Sequence, residues 1–259
     1  MTSTWARAAA LSAESLDDLA ENRVAAICIP DFATAQECRG FAQALSQTPL
    51  RYYEVGRPAG YVGTTFVHYM KRPKRDYFDD VQAAFAAVHV VSGRAFDPLA
   101  RFQDLIRQRT GYAIGVAQEP GYGSYFAGIV RILSGGNDIH IDFAPQFAKN
   151  NLVGQVGCQL TWNAYMDDTS SGGETTIWNK LWDWTGDPAE DAKYPQFTRD
   201  QLAGQESYVF KPKMGSVVIF NSRNPHQVVE VAQGGDALHR IGMGSFMGKL
   251  GGRNLVMWS

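Results

Sequence analysis

The chain has 259 residues, 45% of them hydrophobic and 19% charged, with a formal net charge of −2. That balance suits a soluble globular protein with a sizeable core, and the absence of any Lys/Arg run argues against nucleic acid and for small, roughly neutral substrates. No apolar stretch reaches the ~20 residues of a membrane span, and nothing in the sequence speaks to the oligomeric state.

Cys28, Cys38 and Cys158 are an odd number without paired spacing, so a reducing compartment is expected rather than a disulfide framework. The apolar run from Trp5 to Leu11 is interrupted by Arg7 and followed by Glu14, Asp17 and Asp18, unlike a signal peptide. A cytoplasmic location is therefore expected.

Residues 1–22 are Ala- and acid-rich and partly helical by composition. Val24–Pro30 is a short apolar run suited to a buried strand, and Thr34-x-x-Glu37 is a capping box ahead of Cys38, Phe41, Ala42 and Leu45 at helical spacing. From Leu50 to Tyr69 tyrosines and Phe66 alternate with glycines, which predicts an irregular loop or hairpin. Its aromatic residues, Tyr61 and Phe66 among them, are candidates for a substrate entrance or for rings that pin the loop to the core. Two helices follow, Asp76–Val91 and one starting at Asp97-Pro98 and stopping before Gly111. They would cover one face of a sheet.

After Gly111 the texture changes to short β-like runs separated by Gly, Asn and Asp, among them Ile139–Phe143, Gly157–Met166, Thr175–Asn179, Ser216–Phe220 and Arg240–Phe246. The predicted fold is an all-β core, a sandwich or jelly roll at 112–259, packed against a mainly helical part at 1–111 that carries the opening strand. No repeat, low-complexity segment or linker interrupts the chain, so one domain at 1–259 is expected.

His140 and Asp142 lie two positions apart, and in an extended segment both project to one face while Ile139, Ile141 and Phe143 take the other. Alone, such a pair is ordinarily a hydrogen-bonded strand histidine. With a second imidazole it becomes the 2-His-1-carboxylate triad that leaves three positions open on a ferrous ion. His226, at the start of a strand after the Val217–Phe220 run, is the natural third ligand.

Two further patterns point to a site. In Gly157–Met166, Gln159, Thr161, Asn163 and Tyr165 alternate with Cys158, Leu160, Trp162 and Ala164. Polar side chains facing a barrel interior are costly unless they meet partners, which argues for a wet, ligand-holding cavity; an edge strand with a solvated polar side is the alternative. In Arg240–Phe246 the arginine shares a face with Gly242, Gly244 and Phe246, and an inward guanidinium needs an anion, with the glycines leaving it room. Alternation puts His239 on the other face.

Together, His140-x-Asp142, Trp162-Asn-Ala-Tyr-Met, Gly172-Gly-Glu-Thr-Thr, Pro212-x-x-Gly215 leading to His226, and Arg240 resemble the Fe(II)/2-oxoglutarate-dependent oxygenases over the C-terminal half. With Trp178, they look closest to freestanding enzymes that hydroxylate or halogenate aliphatic carbons of small molecules. The resemblance implies a cupin-like double-stranded β-helix with Fe(II) on His140, Asp142 and His226. It implies 2-oxoglutarate chelating the iron and reaching Arg240, with Tyr165 assisting and Gln159 and Thr161 as weaker candidates. Gly242 departs from the Ser or Thr that many members carry there.

The implied reaction consumes 2-oxoglutarate and molecular oxygen, releases succinate and carbon dioxide, and hydroxylates an unactivated C–H bond. Halogenases that resemble this chain replace the carboxylate ligand with a small residue, so Asp142 predicts hydroxylation over chlorination; desaturation and epoxidation stay open. Phe143 and Trp178, with Tyr61 and Phe66, are the substrate-contact candidates. The competing readings are a cupin-like metalloenzyme without 2-oxoglutarate and an anion-binding module without redox chemistry.

Overall fold

In the computed structural model, which describes residues 4–53, 59–169, 171–182, 197–231 and 240–259, the N-terminal part is helical as its periodicity predicts. Helix α1 spans Ala13–Ala20, strand β1 Ala26–Ile29 and helix α2 Ala35–Ser46. The capping box that opens α2 is reciprocal: Glu37 N–H donates to the Thr34 hydroxyl at 3.2 Å and Thr34 N–H to the Glu37 carboxylate at 2.8 Å. The tyrosine- and glycine-rich segment is a hairpin of β2 (Arg51–Tyr52) and β3 (Gly60–Val62). Helices α3 (Lys74–Ser92) and α4 (Pro98–Thr110) follow. Gly111 ends α4 in the left-handed region at φ 68°, a conformation that favours a residue without Cβ.

The remainder is β-rich. Strands β4 (Ala113–Val116), β5 (Gln118–Glu119), β6 (Gly123–Ser124) and β7 (Ile129–Ile132) lead to the one-turn helix α5 (Ala144–Phe147). Then come β8 (Gln159–Tyr165), β9 (Thr175–Trp178), β10 (Ser207–Phe210), β11 (Val217–Asn221), β12 (His226–Val228), β13 (Ile241–Lys249) and β14 (Asn254–Trp258). Among the described residues the larger sheet runs β1-β11-β8-β13-β7-β3-β2, with β14 on β13 and β4 on β14, and the smaller is β10-β9-β12. The two pack as a jelly roll, with Ile177 and Phe210 of the smaller against Tyr165 and Phe220 of the larger.

The alternation in β8 decides which way the molecule faces. Leu160, Trp162 and Ala164 join the main core with Phe41, Val81, Phe102 and Ile106 from the helices. The Phe102 ring of α4 stacks on the Trp162 indole with centroids 4.2 Å apart and planes 9° from parallel. Thr161, Asn163 and Tyr165 turn to the opposite side and line a cavity between the sheets. The helices thus close the outer face of the larger sheet and leave its inner face for chemistry.

Two expectations change. Ile139–Phe143 is not a regular strand: it meets the first residue of β12 through a single bridge, His140 with His226, and the segment before β12 through Asp142 N–H donating to Ser222 O at 2.8 Å. Pro145 follows inside α5, and the chain turns into that helix before a ladder can form. Arg240 precedes β13 instead of lying in it, at φ 57°, so its direction does not follow from strand alternation. His239 lies outside the described residues.

Candidate active site

The single bridge places both imidazoles. His140 N–H donates to His226 O and His226 N–H to His140 O, and the two rings stand with centroids 4.3 Å apart. Each Nδ1 lies against the carbonyl two residues earlier, Asp138 O at 2.8 Å for His140 and Asn224 O at 2.9 Å for His226. A ring whose Nδ1 is held by a carbonyl carries its proton there and turns the Nε2 lone pair outward. Both Nε2 atoms face one oxygen of Asp142, at 3.7 Å and 3.5 Å, and the three ligating atoms lie within 4.8 Å of one another.

The electrostatics suit a cation. Burial pushes the His140 imidazole below its ordinary pKa, with His226 adding to the effect, so the ring is neutral and able to ligate. Burial alone would raise Asp142, but the two imidazoles beside it outweigh that effect and hold the carboxyl below its usual value. Two imidazole nitrogens and one carboxylate on one side of a cavity are the donor set that a ferrous ion takes, with the opposite side open.

On the same inner face Arg240 is buried at 6% exposure. Its left-handed backbone is pinned by Asp167, whose two carboxylate oxygens accept from the amides of Arg240 at 2.7 Å and Ile241 at 2.8 Å. The guanidinium donates to Gly173 O at 3.1 Å and Thr175 Oγ1 at 2.9 Å and lies 5.6 Å over the Tyr165 ring. Among the described residues no carboxylate forms an ion pair with it, although burial works against its charge. A buried guanidinium with donors directed at neutral groups and a cavity in front fits the free carboxylate of a bound dicarboxylate.

The cavity measures about 390 Å³ and is lined by both motifs: His140, Asp142, His226, Arg240, Tyr165 and Thr161 all reach it. The glycines of β13 do not supply its volume. A Cβ at Gly242 would stand 3.1 Å from Ala164 O, and one at Gly244 only 2.6 Å from Asn163 Oδ1 and 2.4 Å from Trp162 O, so the neighbouring strand crowds both positions.

Several predicted contacts lie elsewhere. Gln159 accepts from Ala144 N–H at 2.6 Å and lines a separate small pocket beside α5, away from Arg240. None of the four substrate candidates lines the main cavity. Phe143 lies under the Arg223 guanidinium, Trp178 is buried with Ile139 and Leu202, and Phe66 packs edge-on to Tyr77. Tyr61 is covered by Tyr53, its ring centroid 4.6 Å away. Alternation gives the face a side chain takes but not which neighbours cover it, and those are set by tertiary contacts. Arg131 and Thr175 line the cavity without having been singled out as contacts in the sequence, whereas Tyr53 of the aromatic entrance segment and Phe246 of the Arg240 face do reach it. For Arg131 a signal existed: it is the one charge in the apolar strand Ile129–Ile132.

A His/Asp/His cluster beside a buried arginine, between the sheets of a jelly roll, defines the Fe(II)/2-oxoglutarate oxygenases, and the chain is an enzyme of that class. Within it, residues 5–259 match the model of the carrier-protein-independent halogenase WelO5 family, and the chain belongs to that family. It is 30% identical over 224 residues to the leucinostatins biosynthesis cluster protein S of Purpureocillium lilacinum, covering 80% of this chain and 89% of the relative. It is 28% identical over 268 residues to the L-gamma-glutamyl-L-propargylglycine hydroxylase of Streptantibioticus cattleyicolor, covering 97% and 94%. The fold is shared with an N-substituted L-amino acid dioxygenase from Burkholderia ambifaria, solved in complex with alpha-ketoglutarate, at TM-score 0.58, 13% identity and 95% and 91% coverage. It is also shared with the alpha-ketoglutarate-dependent epimerase SnoN of nogalamycin biosynthesis, at TM-score 0.52, 15% identity and 91% and 86% coverage.

Proposed function

We propose that this enzyme hydroxylates an unactivated C–H bond of a small molecule, with His140, Asp142 and His226 as the iron ligands and Arg240 holding the distal carboxylate of 2-oxoglutarate. The observation that carries the proposal is the Asp142 carboxylate oxygen, 3.7 Å and 3.5 Å from the two Nε2 atoms, where halogenases of similar sequence have a small residue and leave the position to chloride. With a protein carboxylate in that place, oxygen transfer is favoured over chlorination.

When bound, iron and 2-oxoglutarate would activate molecular oxygen, which supplies the oxidising power for the C–H bond while 2-oxoglutarate is oxidised to succinate and carbon dioxide. The chain's own part is to bind and orient. Asp138 O and Asn224 O hold both imidazoles in the ligating tautomer. Thr175, Tyr165 and Gly173 aim Arg240 at the cavity, and Val67, Val228 and Phe246 provide apolar wall against which a substrate displaces water.

The relatives whose names print a substrate act on an N-substituted amino acid and on a dipeptide, which supports a small-molecule substrate here too. The family model spans nearly the whole chain, in support of one domain. No helix among the described residues is long and apolar enough to cross a membrane, and with Cys28, Cys38 and Cys158 all unpaired this supports a cytoplasmic location.

The test is an anaerobic visible spectrum of the Fe(II) protein with 2-oxoglutarate, followed by product analysis in chloride buffer. A charge-transfer band and an oxygenated product free of chlorine are expected. Chlorinated product would replace hydroxylation with halogenation, and bound iron without a band would move the site to chemistry that does not use 2-oxoglutarate.

A further inference from the structure

Arg131 stands in β7 between buried Val130 and Ile132, opposite Gly242 of β13 and Tyr61 of β3. Side chains paired across strands share a face, so Arg131 turns inward with Arg240's neighbours, and it lines the cavity. Its Nε donates to the Tyr53 hydroxyl at 3.2 Å. Among the described residues no ion pair to it is formed; Asp138, also on the cavity wall, is exposed. Beyond the Nε bond to Tyr53, its two terminal nitrogens carry further donors on the cavity side.

Charge balance separates the two arginines. A ferrous ion and Arg240 bring three positive charges, and Asp142 with the two carboxylates of 2-oxoglutarate brings three negative ones. The cosubstrate is thus neutralised without Arg131. A guanidinium left over in a partly desolvated cavity selects an anion, and its planar fork matches a carboxylate in two parallel hydrogen bonds. The same cavity is lined by Val67, Val228 and Phe246, whose side chains are apolar and carry no donors.

We propose that Arg131, braced by Tyr53, anchors a carboxylate of the substrate, and that the enzyme acts on small carboxylate-bearing molecules whose aliphatic body lies along Val67, Val228 and Phe246. The inference rests on the oxygenase reading above. A site built to bond one polar group rejects the analogue that lacks it much more strongly than an apolar wall rejects a methylene, so Arg131 would set specificity.

The experiment uses the Fe(II) protein with 2-oxoglutarate under anaerobic conditions and reads the visible charge-transfer band. The probes are branched and straight-chain aliphatic carboxylates and N-acetyl amino acids, each beside its methyl ester and its amide. Carboxylates are expected to perturb the band at concentrations at least about tenfold lower than their neutral partners. Arg131→Gln should abolish that preference while 2-oxoglutarate affinity stays within about threefold, and Arg131→Lys should keep part of it. Neutral partners binding as well as carboxylates, or an Arg131→Gln protein that keeps the preference, would overturn the proposal. So would a loss of 2-oxoglutarate affinity beyond about tenfold in Arg131→Gln, which would make Arg131 a cosubstrate contact. Failure of the wild-type band to form would instead count against the oxygenase reading itself, so the two failures are distinct.

Discussion

His140 and His226 are each other's backbone partners: the same two residues that offer the Nε2 atoms also exchange both main-chain hydrogen bonds, at 3.1 Å and 2.9 Å. Their separation is therefore set by the peptide backbone and does not depend on the third ligand. Asp142, whose amide bonds to Ser222 O, is fixed separately.

Asp142→Ala should leave the fold intact and remove the chemistry. Turnover is expected to fall by more than about 100-fold, because the iron loses its anionic protein ligand, while the apo protein melts close to wild type. Succinate release and product formation, measured beside a melting curve, check both halves. Full activity in the variant would mean the site has been misplaced.

Arg240→Gln should act on the cosubstrate. Loss of a buried charge-assisted contact to a carboxylate is worth about 1.5–3 kcal/mol, or roughly 10- to 150-fold in 2-oxoglutarate affinity. Thr175→Ala, which removes the hydroxyl 2.9 Å from the guanidinium, should give a smaller loss in the same direction. Titration of the charge-transfer band reads both.

Glu37 couples the cap of α2 to α4. Hydrogen bonds from Arg101, assisted by the Thr34 amide, depress its carboxyl from 4.5 to about 2. A depressed carboxyl stabilises the fold fully above its unfolded pKa and loses that contribution as pH falls toward the folded one. The melting-temperature gap between wild type and Glu37→Gln should therefore be largest near pH 7 and narrow steadily from pH 4.5 down to pH 3. A gap that stays constant over that range would show that the contact is not ionic in origin.

Phe102→Ala removes the ring stacked on Trp162 between α4 and the outer face of β8. Loss of a fully buried phenylalanine costs about 3–5 kcal/mol, so a clear drop in denaturation midpoint is expected. Because Thr161, Asn163 and Tyr165 point the other way, 2-oxoglutarate affinity of the folded fraction should change little.

The sequence by itself determined the elements with local causes and the residues with distinctive chemistry. The Thr34/Glu37 box, Pro98 and Gly111 mark their helices through contacts made within a few residues. The alternation of β8 assigned one face to the core and the other to a cavity because side-chain direction in a strand has period two. His140, Asp142, His226 and Arg240 stood out only together, because a His-x-Asp pair alone is ordinary and the order of the motifs carries the resemblance. Tertiary structure alone decided where irregular backbone points. It turned Arg240 inward from a left-handed residue held by Asp167, and it drew Gln159 to Ala144. It placed Phe143, Trp178, Tyr61 and Phe66 outside the cavity, and it set Arg131 inside, with Tyr53 folded over from the β2–β3 segment. Those positions depend on contacts between residues dozens of places apart, and no local pattern encodes them.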